Sequence, residues 1–145
     1  MKPLARAIVV YCAGGMKSDW VDRLTKQLSG KGFILVDPRQ HGSREEAEYT
    51  RWDLTGVEIS DVVLGYMEAS NPGGSGLAVE FGWGAKADKH LILLEEEGYA
   101  QQRYFGMVRA MSNTLQTVTA ETMIEHAERL LLAYSATRMH NNFLY

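Results

Sequence analysis

The chain has only one cysteine, Cys12, among its 145 residues. A single cysteine excludes an internal disulfide framework and is typical of a reducing compartment, so we expect a cytoplasmic protein. No apolar run approaches the roughly 20 residues that a membrane-spanning helix needs. The short apolar run near the N-terminus is shorter than the apolar core and cleavage site of a signal peptide, and we interpret it as a first strand.

An excess of positive charge is also lacking. The 15 lysine and arginine residues are outnumbered by 18 aspartate and glutamate residues, which gives a net charge of −3. The basic residues are scattered, so we expect no binding to a nucleic-acid polymer or to a membrane surface. Metal-ligand spacing is absent among the histidines, and we expect no metal and no cofactor. Those histidines are His41, His90, His126 and His140.

The composition is that of a single globular domain spanning residues 1–145, with 46% hydrophobic and 23% charged residues. Runs of apolar and β-branched residues predict five strands, the last at a sheet edge, over 7–12, 33–37, 61–67, 90–95 and 114–119. Four helices are predicted between or after them, over 18–28 (capped by Ser18 or Asp19), 42–60, 76–88 and 120–136. Residues 98–112 are predicted to be irregular or a short helix.

Strands that alternate with helices predict an α/β fold with a doubly wound parallel sheet and helices on both faces. For five strands we expect the flavodoxin-like order 2-1-3-4-5. Ligands of such sheets bind beyond the carboxyl ends of the strands, where the winding direction reverses between the first and third strands. The segments that meet there are 11–19 and 68–80.

One acid in the second segment lies in an apolar helical pattern. In "NPGGSGLAVEFGWGAKADKHLILL" (71–94), the residues three and four positions from Glu80 are Gly76, Leu77, Trp83 and Gly84, and none is a cation. Glu80 either faces water, or lies half-buried beside a space that Gly76 and Gly84 leave for a ligand. In the second case it is a candidate nucleophile or general base.

Other residues have similarly open interpretations. Asp53 lies either on a solvated helix face or on a helix directed at the same cleft, and Tyr11 ends the first strand. Ser75 is predicted to cap the following helix, within a glycine-rich stretch that is either a turn or a phosphate cradle. We expect Asp61 to be a turn or cap residue and Cys12 to be structural.

Three blocks of the chain resemble the nucleoside 2-deoxyribosyltransferase family, including its hydrolytic relatives that cleave nucleoside 5′-monophosphates. They are "IVVYCAGG" (8–15), "YTRWDLTGVEISDVVLGYM" (49–67) and "GLAVEFGWGAKADKHLILL" (76–94). The third block is the most specific, with a glycine, three residues, a glutamate, any residue and a glycine. The last third of the chain matches only in its alternation of elements.

The resemblance implies the roles of several residues. Glu80 corresponds to the nucleophile that attacks the anomeric carbon of the sugar, Asp53 to an aspartate near it, and Tyr11 to a tyrosine that positions it. Tyr145 corresponds to a terminal residue whose carboxylate joins the site in some transferases. The substrate-binding candidates lie in the two glycine-rich loops: Gly14, Gly15, Asn71, Gly74, Ser75 and Gly76.

The chain departs from the transferases at one position. They usually have a base-contacting aspartate six residues before the glutamate, where this chain has Gly74. Asn71 is a candidate replacement, and Ser75 is compatible with the small hydroxyl residues that hold a 5′-phosphate in the hydrolytic relatives.

We therefore expect an enzyme that cleaves or exchanges the N-glycosidic bond of a small nucleoside or nucleotide through a covalent glycosyl-enzyme intermediate. Deoxyribosyl transfer is the first interpretation, and the alternatives are a hydrolytic N-glycosidase and a non-catalytic nucleotide-binding module. A further alternative is a flavodoxin-like flavin carrier, which is supported only by the predicted fold class. The family further implies a homo-oligomer.

Overall fold

The computed structural model of the protein describes residues 6–71, 73–99 and 102–143. The strands are β1 (Ile8–Gly14), β2 (Phe33–Val36), β3 (Val62–Met67), β4 (His90–Glu96) and β5 (Thr114–Val118). The α-helices are α1 (Trp20–Leu28), α2 (Glu46–Ile59), α3 (Ser75–Lys86), α4 (Gly106–Met111) and α5 (Met123–Phe143). The strands form one sheet in the order β2-β1-β3-β4-β5, and all four pairings are parallel. The predicted α/β fold and strand order are confirmed.

Element boundaries differ most from the prediction at β1, α2 and α5, whereas the region 98–112 agrees with the prediction of irregular structure or a short helix. β1 extends through Gly14, because Ala13 and Gly14 still pair with Gly65 and Tyr66 of β3. The region predicted to be helical from residue 42 begins only at α2, after a 3-10 turn over Pro38–His41. The region 98–112 contains a 3-10 turn (Gln102–Phe105) and α4, with residues 100 and 101 outside the described residues. Finally, α5 is longer than the predicted helix and extends to Phe143.

The sheet has a separate apolar core on each face, because side chains alternate along each strand. Val10, Cys12 and Leu64 point toward α1 and α5, and Cys12 is completely buried there. Tyr11 and Val63 point to the opposite face, which α2, α3 and α4 cover. The candidate site therefore belongs to the second face of the sheet.

Two glycines allow α3 to lie close to the sheet. A Cβ atom on Gly65 of β3 would lie 2.6 Å from the ring of Phe81. A Cβ atom on Gly84 would lie 3.0 Å from the side chains of both Leu91 and Val63. The expectation that Gly84 leaves room for a ligand is wrong, because this glycine faces the sheet and permits helix packing.

Candidate functional site

Tyr11, Asp53 and Glu80 come together on the second face of the sheet, although they are far apart in the chain. Tyr11 is a fully buried residue of β1, while Asp53 and Glu80 are half-buried residues of α2 and α3. Gly56 brings α2 close to Tyr11, since a Cβ atom at this position would lie 2.9 Å from the tyrosine ring. The solvated-face interpretation of Asp53 is therefore wrong.

The carboxylate of Glu80 is partly removed from solvent, and no residue that the structure describes forms an ion pair with it. Its Oε2 atom is buried and has no hydrogen-bond partner among the described residues. The side chain extends back along α3, so that its Oε1 atom lies 3.7 Å from the position of a Cβ atom on Gly76. Burial raises the pKa of Glu80 to about 8, hydrogen bonding with Tyr11 lowers it, and the charge of Asp53 raises it further.

The hydroxyl of Tyr11 interacts with both carboxylates. Burial raises the pKa of Tyr11, and the negative charge of Glu80 raises it further, so the phenol stays protonated and able to donate. Burial also raises the pKa of Asp53, whereas His41 and the Tyr11 hydroxyl lower it. Within the described residues, Tyr11 Oη, Asp53 Oδ1 and Glu80 Oε2 lack hydrogen bonds of ordinary geometry. The three groups thus interact at close range but leave acceptor capacity unused.

Glu80 opens into a cleft of about 440 Å³ at the carboxyl ends of β1 and β3. The residues that line it are Gly14, Gly15, Met16, Lys17, Asn71, Gly73, Gly74, Gly76, Leu77 and Glu80. Among these lining residues Glu80 is the one acidic residue and Lys17 the one basic residue, so the cleft wall has one ionisable group of each sign. Five of the six substrate-binding residues predicted from the sequence are therefore in the cleft wall.

Gly14 and Gly15, at the end of β1 and just after it, lie close to β3 and to the loop that follows β3. Gly14 has a φ of +125°, and a Cβ atom there would lie 2.3 Å from the carbonyl oxygen of Tyr66. A Cβ atom on Gly15 would lie 2.3 Å from Nδ2 of Asn71. Position 14 has no room for a side chain, and a side chain at position 15 would displace the Asn71 amide, so the absence of side chains leaves the backbone open to a ligand in the cleft.

The sixth predicted binding residue, Ser75, is exposed and is not among the residues that line the cleft. Its predicted capping role is also wrong: Gly74 is the N-cap of α3, and its carbonyl oxygen accepts a hydrogen bond from Ala78 N at 2.9 Å. Because Ser75 is the first residue of the helix, its hydroxyl is not placed to cap it.

The position of the missing aspartate is enclosed by aromatic side chains. A Cβ atom on Gly74 would lie 2.8 Å from the ring of Phe105 and 3.3 Å from the hydroxyl of Tyr99. This chain therefore has aromatic packing beside the position where the transferases have an acid. The two aromatic residues come from the segment that follows β4.

The sequence did not point to four of the cleft residues: Met16, Lys17, Gly73 and Leu77. Lys17 had a usable signal, because it lies in the loop that follows the first strand at the switch point. Asp61 has a structural role other than the turn or cap expected of it: its carboxylate accepts a hydrogen bond from Val9 N of β1 at 2.9 Å and forms ion pairs with Arg6 and Arg138.

Two further cavities of about 420 Å³ lie elsewhere. One is between β2 and α2, beside Val36 and Trp52, and the other is at the amino end of β1, beside Arg6 and Arg138. Glu80 lines neither of them, while Tyr11 and Asp53 line none of the three cavities, so the chemistry of Glu80 rather than size identifies the site. Across residues 6–71, 73–99 and 102–143, no group of acids, histidines and cysteine is arranged to hold a metal, and no helix is suited to cross a membrane.

No protein-family model matches the sequence, and no curated protein matches it significantly. Solved structures share its fold. A CMP N-glycosidase from Clostridium botulinum, BcmB, superposes with a TM-score of 0.59 and 21% identity, over 86% of this chain and 98% of that chain. A 2-desoxiribosyltransferase from Leishmania mexicana superposes with a TM-score of 0.54 and 16% identity, over 61% of this chain. The match covers 64% of the Leishmania chain, which is less than two thirds of its length. At the level of the fold, the resemblance found in the sequence is confirmed.

Proposed function

We propose that the protein hydrolyses the N-glycosidic bond of a nucleoside 5′-monophosphate, with Glu80 as the nucleophile. The observation that carries the proposal is the cleft itself, in which the unpaired carboxylate of Glu80 shares one wall with Lys17 and two glycine-rich loops. Such a site combines a group that reacts with a sugar and groups that bind an anion.

In the first step, the Glu80 carboxylate attacks carbon 1 of the sugar. The bond between this carbon and the base nitrogen breaks, and the base leaves with the bonding electron pair and takes up a proton. Positive charge develops on the sugar ring during this step, and a carboxylate in a site of low dielectric stabilises it. The product of this step is a glycosyl ester of Glu80.

In the second step, a water molecule attacks carbon 1 and loses a proton, and the Glu80 carboxylate is released. The sugar phosphate leaves with the configuration at carbon 1 retained, as in retaining glycoside hydrolases. The Tyr11 hydroxyl favours ionised Glu80, since it lowers the pKa of this acid. The charge of Asp53 acts on Glu80, and we assign Asp53 the role of holding a sugar hydroxyl or accepting the proton of the water.

The 5′-phosphate is assigned to the glycine loops and Lys17. The first N–H groups of α3 have no partner within the helix, and the partial positive charge of the helix N-terminus favours an anion. Gly73, Gly74 and Gly76 line the cleft at this end of the helix, and Lys17 supplies the positive charge. The N-glycosidase from Clostridium botulinum, which matches 86% of this chain, acts on a nucleotide by its name.

Deoxyribosyl transfer is the second candidate, supported by the shared fold of the Leishmania enzyme. In a transferase, a second base replaces water in the second step and receives the sugar. The observation against it is Gly74, where the ring of Phe105 occupies the space beside the position of the base-contacting acid.

Product analysis separates these functions. The protein is incubated with a deoxynucleoside 5′-monophosphate or with the deoxynucleoside, each with and without a second free base, and the products are resolved by chromatography. We expect free base and sugar phosphate from the monophosphate, at a higher kcat/KM than from the nucleoside. A new nucleoside or nucleotide would instead establish transfer. No product from any nucleoside or nucleotide, with the protein folded, would contradict both functions.

Two variants refine this test. Glu80→Ala is expected to lower the rate by several orders of magnitude with a modest change in binding, whereas a nucleotide-binding module would change only in affinity. Lys17→Ala is expected to reduce the preference for the monophosphate over the nucleoside about tenfold or more. Lys26→Ala, which removes an exposed lysine from α1, is the matched control and should leave that preference unchanged.

We also propose that the protein forms a homo-oligomer in the cytoplasm. Large apolar side chains are exposed around the site helix, with Ile59 of α2 62% exposed and Val79 and Trp83 of α3 56% and 43% exposed. A second copy that covers them would remove this apolar surface from water. Light scattering after size-exclusion chromatography tests this, and a monomer at micromolar concentrations would contradict it.

A further inference from the structure

A third acid, Glu68, lies behind the cleft and has no part in the steps above. It follows β3 directly and is only 4% exposed. Burying a carboxylate is costly unless its oxygen atoms find partners, yet Oε1 of Glu68 is buried and has no hydrogen-bond partner among the described residues. The fold alone does not account for a carboxylate at this position.

The Glu68 side chain packs against the loop that joins β1 to α1. Its Oε1 atom lies 3.1 Å from the position that a Cβ atom on Gly15 would take, and Nδ2 of Asn71 lies 2.3 Å from the same position. The backbone N–H of Asn71 donates to the carbonyl oxygen of Glu68 at 3.2 Å. Glu68 and Asn71 therefore belong to one turn, and both side chains of this turn contact the β1–α1 loop.

Two other contacts hold the same loop. The indole N–H of Trp20 donates to the carbonyl oxygen of Gly15 at 2.7 Å. Burial raises the pKa of Glu68, while hydrogen bonding with the Ser18 hydroxyl lowers it and the charge of Glu96 raises it. Ser18 is the residue that follows Lys17, and Gly15 lies two residues before it, so Glu68 packs against the loop at Gly15 and acts electrostatically on it at Ser18.

The neighbouring acid Glu96 has a structural role and hydrogen-bond partners, which Oε1 of Glu68 lacks among the described residues. Its Oε2 atom accepts hydrogen bonds from the Tyr66 hydroxyl at 2.7 Å and from Ala69 N at 3.3 Å. Glu96 thus ties β4 to the end of β3. Glu68 instead faces the loop that lines the cleft, and its Oε1 atom keeps acceptor capacity for a donor on that loop.

We propose that Glu68 is a positioning residue, whose carboxylate fixes the β1–α1 loop so that Lys17 faces the cleft. This inference rests on the proposed function in one respect, because it assumes that Lys17 binds the 5′-phosphate of the substrate. Loss of the carboxylate is then expected to weaken binding of the phosphate and to leave the reaction of the bound sugar nearly unchanged.

The test compares Glu68→Ala, Glu68→Gln and Ser18→Ala with the wild type. KM and kcat are measured for a deoxynucleoside 5′-monophosphate and for the unphosphorylated deoxynucleoside, and amide hydrogen exchange is followed in residues 14–19. Glutamine keeps the size of the side chain and one acceptor oxygen, so it is the conservative variant. Glu97→Gln, which removes a charge from an exposed position nearby, is the control for net charge.

We expect both alanine variants to raise KM for the monophosphate about tenfold, with kcat within about twofold of wild type, and to speed exchange in the loop. Glu68→Gln should restore most of the affinity, and Glu97→Gln should match the wild type. Unchanged KM and unchanged exchange in both alanine variants would overturn the inference. So would a lower kcat at unchanged KM, because Glu68 would then act on the reaction itself.

The design separates this inference from the proposed function. If the wild type converts no nucleoside or nucleotide, the proposed function fails, but the exchange of residues 14–19 still shows whether Glu68 orders the loop. If Glu68→Ala does not fold, Ser18→Ala decides the result, because Ser18 is exposed and its removal leaves the core intact.

Discussion

The hydroxyl of Tyr11 lies beside the carboxylate of Glu80, and the two residues come from the first strand and from the helix after the third. Tyr11 is fully buried, and burial raises the pKa of Glu80 to about 8 against the hydrogen bond that the hydroxyl supplies. The fraction of Glu80 that is ionised near neutral pH, and thus able to attack a sugar in the proposed reaction, depends on this contact.

Tyr11→Phe removes the hydroxyl and keeps the ring that packs against Gly56. The pKa of Glu80 is expected to rise further, because a hydrogen bond to the charged form is lost. Since the nucleophile is the deprotonated form, the rising limb of the pH profile of kcat/KM should move to higher pH, and activity at pH 7 should fall about tenfold. An unchanged profile would show that Tyr11 does not control the ionisation of Glu80.

Glu80→Gln is expected to stabilise the protein while it abolishes activity. The folded pKa of Glu80 is about 8 and the ordinary value is 4.5, so the folded state binds the proton more tightly than the unfolded state. The wild type therefore loses stability as the pH rises from about 4.5 to about 8. The gain from Gln should be near zero at pH 4 and on the order of 2–4 kcal/mol at pH 9.

Urea denaturation at the two pH values measures this gain in the free energy of unfolding. Glu46→Gln, at an exposed position in the first turn of α2, is the control and should show no comparable dependence on pH. An equal effect of Glu80→Gln at pH 4 and pH 9 would contradict the raised pKa.

Gly84→Ala and Gly82→Ala form a matched pair within α3. A methyl group at position 84 would meet Leu91 and Val63 at 3.0 Å, whereas nothing lies within 4 Å of one at position 82. We expect Gly84→Ala to destabilise the protein by about 1–3 kcal/mol, and Gly82→Ala to stabilise it by roughly 0.5–1 kcal/mol through helix propensity. Thermal unfolding of the two variants checks the prediction, and a stabilised Gly84→Ala variant would contradict the packing assigned to this glycine.

Gly74→Asp introduces the acid that nucleoside 2-deoxyribosyltransferases usually have at the corresponding position, but we expect no gain of transferase activity. The new Cβ atom would lie 2.8 Å from the ring of Phe105, so the side chain displaces this ring or the loop. We expect a loss of stability of about 1–3 kcal/mol. Chromatography with a second free base measures transfer, and a new nucleoside formed by this variant alone would show that the position still accepts the acid.

The strand order and the meeting of segments 11–19 and 68–80 followed from the sequence for a general reason, whereas the grouping of Tyr11, Asp53 and Glu80 was implied only by the family resemblance. Parallel strands place their carboxyl ends at one edge of the sheet, so residues at the ends of β1 and in the helices after it converge. The role of Gly84 could not be predicted from the sequence. A helical glycine can face either a ligand or a sheet, and the sequence pattern is the same in both cases.

The roles of Glu68 and Ser75 also could not be predicted from the sequence pattern. A carboxylate directly after a strand is typical of an exposed loop, and only the packing of Asn71 and Gly15 around Glu68 reveals that it is buried. The cap of α3 depends on where the backbone turns into the helix. That turn occurs at Gly74, one residue earlier than the serine in the capping pattern indicates.

The central claim is that Glu80 forms a covalent bond with the sugar. A 2-fluoro substituent on the sugar slows both steps by destabilising the positively charged transition state, and the glycosyl ester then accumulates. Mass spectrometry of the protein after reaction with a 2-fluoro nucleoside 5′-monophosphate should show the added mass of one sugar phosphate, located by peptide mapping at Glu80 and absent in Glu80→Gln. A sugar attached at another residue, or a Glu80→Gln variant with wild-type turnover, would contradict the account.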